Sequence, residues 1–240
     1  MTQPTSDHEV VIVVLSKYPD LFSGLQDNLN QFAPGFDRVL VKDGLMIDND
    51  QGWKVVQGPP EFSYAHNVNL GLSAVHSSSD VFLIGDDVRL KDEGTIPELR
   101  NLAYSDERIG ILSPKIIGAA DNPLQTNPPT DRDIVYSDRY IATVCTYIKR
   151  SVIEMVGLMD SDSFGTRYGY DDTDFSRRTV LTGFTLAVAP RVEVIHGVKR
   201  KGAESFLRNV KGYSDLLKDQ DRENEQAYIR KWGDNKKENW

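Results

Sequence analysis

The run VVIVVLS, residues 10–16, constrains the fold more than any other part of this chain. A strand with one wet face alternates apolar and polar side chains, and this one does not alternate. Continuous β-branched apolar sequence needs cover on both faces, the environment of a central strand in a parallel sheet with helices packed on either side. An all-β protein or a helical bundle does not offer that environment.

The following segments keep the rhythm. Leu21, Leu25, Leu29 and Phe32 recur at helical spacing until Pro34 and Gly35 stop the element, and RVLVKDG reads as a second strand closed by an Asp-Gly turn. WKVVQ follows as a short strand, SYAHNVNLGLSAVHS as a helix, and VFLI as a third core strand that runs straight into Gly85, Asp86 and Asp87. Next, TIPELRNLAYSD predicts a helix and IGILSP a strand, while GAADNPLQTNPPTDRD, rich in Pro, Asn and Asp, predicts loop. YIATVCTYIKR predicts a long strand, SVIEMVGLMD a short helix, DTDFSRRTVLTGF a helix with acidic residues at its start, and TLAVAPRVEVIHG two short strands around Pro190. The expected class is therefore α/β, an open Rossmann-like mixed sheet flanked by helices. From Lys199 onward the chain is highly charged, with ESFLRNVKGYSDLLKD and NEQAYIRKW as two amphipathic helices. The organisation expected is a main domain over 1–198, its halves meeting near residue 90, and a helical extension over 199–240.

Composition narrows the function. Against 28 Lys and Arg stand 36 Asp and Glu, a net charge of -8 that disfavours a broad grip on nucleic acid or anionic membrane. The single cysteine, Cys145, sits in an apolar run and reads as a buried structural thiol. The polar start MTQPTSDHE lacks the order of a secretion signal and no apolar run is long enough to span a bilayer, so the expected location is cytoplasmic. A Gly-rich phosphate loop, Cys/His metal spacing and a nucleophilic serine motif are all missing, which leaves kinase, zinc and hydrolase readings without support.

What remains is a set of carboxylates at strand and helix ends. Asp43 follows the second strand, Asp86 and Asp87 the third, and Asp171, Asp172 and Asp174 crowd the start of a helix. Ligands of open α/β sheets gather beyond the carboxyl ends of the strands, and Asp supplies the hard oxygens that Mg2+ or Mn2+ prefers. Each group also has an ordinary structural reading: Asp-Gly and Asp-Asp are turn signals, and acidic residues at a helix start complement its dipole.

The order of the pieces VIVVLS, VKDG, AHNVNLGLSAV, FLIGDDVRL, VCTYIKRSVIEMVGLMD and YGYDDTDFSRRTVLTGFTLAVAPRVEVIH, over roughly residues 10–197, resembles the large inverting glycosyltransferase family 2, whose fold is of the A type. The resemblance implies transfer of a sugar from a nucleoside diphosphate donor, most often UDP-linked, to an acceptor hydroxyl with inversion. It implies Asp172 as the catalytic base with Asp171 as its acidic neighbour and Tyr170 on the acceptor side. It implies Asp87 as principal ligand of Mn2+ or Mg2+, helped by His196, and Ser16, Asp43, Asn67 and Asp86 around the donor. The family's acidic motif has Asp or Asn where this chain has Gly85, so a third polar ligand is absent there and His196 gains weight. Trp53, Tyr168 and Tyr170 could stack on a sugar or base, although aromatics at strand and loop positions are usually packing, and KRKG at 199–202 could close over the diphosphate, although most basic clusters are simply solvated; Asp160 and Asp174 read as structural. The acceptor stays open between a glycan, a protein and a modified nucleic-acid base. Two alternatives also stay open: a nucleotidyltransferase of similar fold, and a catalytically inactive member serving as a carbohydrate-binding or assembly module.

Overall fold

The computed structural model describes residues 9–44, 52–118, 120, 122–165, 169–198 and 213–233, with 213–221 as backbone. The chain opens with β1 (Val10–Ser16), α1 (Pro19–Phe32), β2 (Asp37–Lys42), β3 (Lys54–Gln57), α2 (Tyr64–Ala74) and β4 (Asp80–Gly85). β1 pairs in parallel with β2 on one side and β4 on the other, and β3 extends the sheet beyond β2. Ile12 and Val14 enter one apolar cluster with Phe22, Leu25 and Leu29 of α1, whereas Val11 and Val13 enter another with Ala65, Val68 and Leu72 of α2. Both faces of β1 are therefore covered, as its unbroken apolar sequence requires.

The second half is β5 (Val88–Leu90), α3 (Thr95–Ser105), β6 (Ile109–Gly118), α4 (Pro123–Thr126), β7 (Val135–Ser137), β8 (Cys145–Ile148), α5 (Arg150–Val156), α6 (Asp171–Leu181), β9 (Thr185–His196) and α7 (Tyr213–Trp232). The nine strands form one mixed sheet in the order β3-β2-β1-β4-β8-β6-β9-β5, with β7 also on β9. At the amino end of β4 the buried Asp80 accepts from Tyr147 Oη at 2.5 Å, Tyr104 Oη at 2.8 Å and Arg150 N at 2.7 Å. That carboxylate ties strands together and lies at the end of β4 opposite Asp86.

Several expectations change. Only Cys145–Ile148 of the predicted long strand is a strand. The preceding backbone is bonded to side chains instead: Ile141 N donates to Ser176 Oγ, Ala142 N to Gln125 Oε1, and Asn122 Nδ2 donates to Tyr140 O. The loop that supplies Asn122 and Gln125 contains α4, with Pro123 in its first turn and Asn122 accepting from Leu124 N. The two strands expected around Pro190 are one strand. β9 pairs Ala189 with Pro114 and then Glu193 with Lys115, so the proline is absorbed by a register shift that spares its missing N–H. Finally, one helix runs from Tyr213 to Trp232 where two were expected, and the start of the first expected helix lies outside the described residues.

Candidate active site

The carboxyl ends of β1, β2 and β4 bring Ser16, Asp43 and Asp86 together. Ser16 Oγ donates to Asp86 Oδ2 at 2.8 Å, and Lys17 N and Tyr18 N, at the start of α1, donate to the same oxygen at 3.1 and 3.4 Å. Burial, reinforced by the neighbouring charge of Asp87, pushes the Asp86 carboxyl up to about 6 despite these bonds. Asp43 N donates to Ser16 O at 2.9 Å, and the largely buried Asp43 carboxylate has Lys17 Nζ 3.3 Å from Oδ2.

Asn67 lies beside this corner on α2. It is 1% exposed, yet neither its amide nitrogen nor its amide oxygen has a hydrogen-bond partner among the described residues. Its oxygen faces Gly58, where an added Cβ would lie 2.8 Å away, and Gly58 N itself donates to Lys42 O at the end of β2. An unpartnered buried amide at the mouth of a sheet has desolvation that nothing among the described residues offsets.

Asp87 points to the other side of the same turn. β5 pairs antiparallel with β9 so that Val88 faces His196. Asp87 O accepts from Gly197 N and Val198 N at 3.2 and 3.0 Å, and Asp87 Oδ1 lies 3.4 Å from His196 Nε2. Burial raises the Asp87 carboxyl, with His196 opposing that rise. A carboxylate oxygen and an imidazole nitrogen converging at a strand end suit a divalent ion whose remaining ligands are diphosphate oxygens and water. Among the described residues no group of three or more His, Cys, Asp or Glu is arranged for a metal.

The second pair of carboxylates opens α6. Tyr170 is held at φ 62, the left-handed region that a bulky side chain rarely adopts, and it turns the chain into the helix. Asp171, 3% exposed, accepts from Asp172 N through Oδ1 at 2.9 Å, while its Oδ2 has no hydrogen bond among the described residues. Burial first, and then the Asp172 charge, push the Asp171 carboxyl up to about 8. Asp172 is half-buried. Tyr64 at the start of α2 feels the charges of both aspartates and donates to Thr143 O at 2.8 Å. The next residue, Val144, accepts from Gly85 N at 3.0 Å. Thr143 and Val144 thus link Tyr64, which feels the head of α6, to Gly85 at the start of the Asp86–Asp87 turn.

Asp174 has the structural role expected of it. Fully buried, it accepts from Arg178 Nε at 2.8 Å and Trp232 Nε1 at 2.9 Å, and Lys231 Nζ lies 2.7 Å from it. Lys231 also bridges Asp160 at 2.7 Å, and Tyr170 Oη donates to Glu225 Oε1 at 3.2 Å while its ring lies 5.2 Å from that of Tyr228. α7 therefore packs directly behind the head of α6. Its part in the site was not legible from its sequence, whose only signal was amphipathic spacing. Trp53 follows the packing reading: it is buried, packs edge-on against Phe22 at 5.2 Å and lies in the core rather than at the site. Tyr168 and the KRKG segment lie outside the described residues.

No family model matches the chain, and no curated protein matches it. Among solved structures it is similar to the crystal structure of GalNAc-T7 with UDP, GalNAc and Mn2+, with a TM-score of 0.64 and 13% identity, over 93% of this chain and 50% of that one. The chain has the A-type glycosyltransferase fold. It spans half the length of that neighbour. Ser16, Asp43, Asp86 and Asp87 cluster at the carboxyl ends of β1, β2 and β4, the end of an open α/β sheet where ligands gather.

Proposed function

We propose that the protein is an inverting, metal-dependent glycosyltransferase that moves a sugar from a nucleoside diphosphate donor, UDP-linked by the resemblance to family 2, to an acceptor hydroxyl. The observation that carries this reading is the approach of His196 Nε2 to 3.4 Å from Asp87 Oδ1 at the carboxyl end of the sheet. Asp87 and His196 would hold Mn2+ or Mg2+, which when bound stabilises the charge of a departing diphosphate. Asp43 and Asn67 offer a carboxylate and an unpartnered amide to the nucleoside, and Asp86 with Ser16 fixes the wall between them.

Asp172 is the base. Burial raises the neighbouring Asp171 carboxyl to about 8, so Asp171 is the less suited of the pair to take a proton as a carboxylate, and Asp172 is the more exposed of the two. Half-buried at the helix start, it can accept the acceptor's proton as the hydroxyl attacks.

The test is a thermal-shift screen with UDP, GDP, CMP and dTDP, each with Mn2+ or with chelator. Metal-dependent stabilisation by one nucleotide is expected, and no response to any of them would sink the reading. Donor hydrolysis with water as acceptor, followed by NMR of the released sugar, then reads the anomeric outcome; retention would overturn the inverting assignment. Nucleotide binding without turnover of any donor would favour an inactive sugar-binding module.

A further inference from the structure

Arg89 follows the acidic pair by two residues, and its guanidinium is directed at main-chain carbonyls. Nη1 donates to Asp86 O at 2.8 Å and to Val88 O at 2.7 Å, the two carbonyls that flank Asp87, and Nη2 donates to Leu21 O of α1 at 3.2 Å. The middle carbonyl, Asp87 O, is already held by Gly197 N and Val198 N. Every carbonyl of residues 86–88 is therefore engaged, so the turn cannot rotate without breaking a hydrogen bond. The charge of Arg89 lies within electrostatic reach of Asp86, Asp87 and Asp27, which offsets two carboxylates held side by side. A planar fork of donors serves three carbonyls in fixed directions, which an ammonium cannot.

Gly24 is the complementary feature. It sits inside α1, where glycine costs about 1 kcal/mol relative to alanine. A Cβ there would lie 2.5 Å from Arg89 Nη2 and 3.4 Å from its Cζ. The glycine gives the guanidinium the room it needs to reach Leu21 O.

We propose that Arg89 is a positioning residue for the acidic turn: through Asp86 O and Val88 O it sets the direction of the Asp87 carboxylate relative to His196, with Gly24 providing its slot. This rests on the reading above that Asp87 and His196 hold the metal of a nucleoside diphosphate. Arg89 itself touches neither.

The experiment is calorimetric titration of UDP into the full chain, with saturating Mn2+ and with chelator, for the wild type, Arg89→Met, Arg89→Lys, Gly24→Ala and the double variant Gly24→Ala with Arg89→Met. The quantity read is the gain in UDP affinity that the metal confers. Removing a residue that orients a metal ligand lowers metal affinity about 10-fold or more, so Arg89→Met and Gly24→Ala should each lose about 10-fold of that gain. Affinity in chelator should stay within about twofold, Arg89→Lys should fall between, and the double variant should be no worse than Arg89→Met alone, because both changes break one unit. A purely structural role would lower the unfolding midpoint and leave the metal gain intact. If the wild type shows the gain and both single variants keep it, the positioning role is wrong. If the wild type shows no gain, the functional reading fails and the role falls with it. Should Arg89→Met not fold, Arg89→Lys, which keeps the charge and loses the fork, decides alone.

Discussion

Gly85 stands directly behind the Asp87 carboxylate: a Cβ built on the glycine would lie 3.2 Å from Asp87 Oδ1. The sequence reading took Gly85 as a missing ligand. The geometry gives it a different part, because the space it leaves lets Asp87 lean toward His196. Gly85→Ala should weaken Mn2+-dependent UDP binding about three- to tenfold by turning Asp87 away. Gly85→Asp should weaken it more, since a third carboxylate would adjoin Asp86 and Asp87. Tighter binding by Gly85→Asp, measured by calorimetry, would restore the missing-ligand view.

Asn67 predicts an opposition between stability and binding. Its buried amide makes no hydrogen bond among the described residues, so Asn67→Leu removes an uncompensated desolvation cost and should leave the free protein as stable or about 1 kcal/mol more stable. The same change should reduce the UDP-induced rise in melting temperature. A destabilised free protein with an unchanged UDP response would show that Asn67 serves the fold alone.

Asp171 makes stability depend on pH. Its carboxyl is raised from 3.8 to about 8, so the folded state holds more protons than the unfolded chain across that window and stability falls as pH rises through it. Asp171→Asn, neutral at every pH, should flatten the decline in melting temperature between about pH 5 and 8. Asp86, raised to about 6, acts in the same direction and leaves a smaller residual slope at the acidic end. An unchanged slope in the variant would mean that Asp171 ionises normally.

Asp172→Asn separates binding from chemistry. It should bind UDP with wild-type affinity and lose transfer about 10²- to 10⁴-fold, the contribution of a general base. Full activity in a donor-turnover assay would remove Asp172 from that role.

Asp174→Ala tests the clamp behind the site. It would leave Arg178, Lys231 and the Trp232 N–H without their shared acceptor. Removing one partner of a buried charge network costs 3–5 kcal/mol, and the partial exposure of Arg178 and Lys231 reduces this to about 2–4 kcal/mol. Urea unfolding should report that loss while UDP affinity stays unchanged. A variant as stable as the wild type would show that α7 is not held through Asp174.

Much of this fold is written in local patterns. The unbroken run of β1 and the 3.6 spacing of α1 gave their positions because burial on two faces and on one face leaves different periodicities. The apolar run around Cys145 misled because whether it continues as a strand depends on Asn122, Gln125 and Ser176, which lie far away in sequence. Pro190 misled because a strand can absorb a proline by slipping register, and the slip belongs to the partner strand as much as to its own. At the site, Asp43, Asp86, Asp87 and His196 were legible as residue types at element ends. Arg89, Gly24 and Tyr64 were not, since they act on backbone or through packing and carry no distinctive spacing. For Trp53 the sequence left packing and stacking both open, because an aromatic beside a strand gives the same signal whether it faces a ligand or Phe22.

The two carboxylate pairs also differ in when they can be assembled. Ser16, Asp43, Asp86 and Asp87 come from strands that pair early in the chain, whereas Tyr170 and Asp174 depend on partners 55 and 58 residues further along, in α7. As the chain leaves the ribosome, the ends of β1, β2 and β4 can close long before α7 emerges to brace α6. A nascent chain stopped short of Trp232 would carry the formed corner of Ser16, Asp43 and Asp86 beside an unsupported α6, so the two carboxylate pairs mature in sequence.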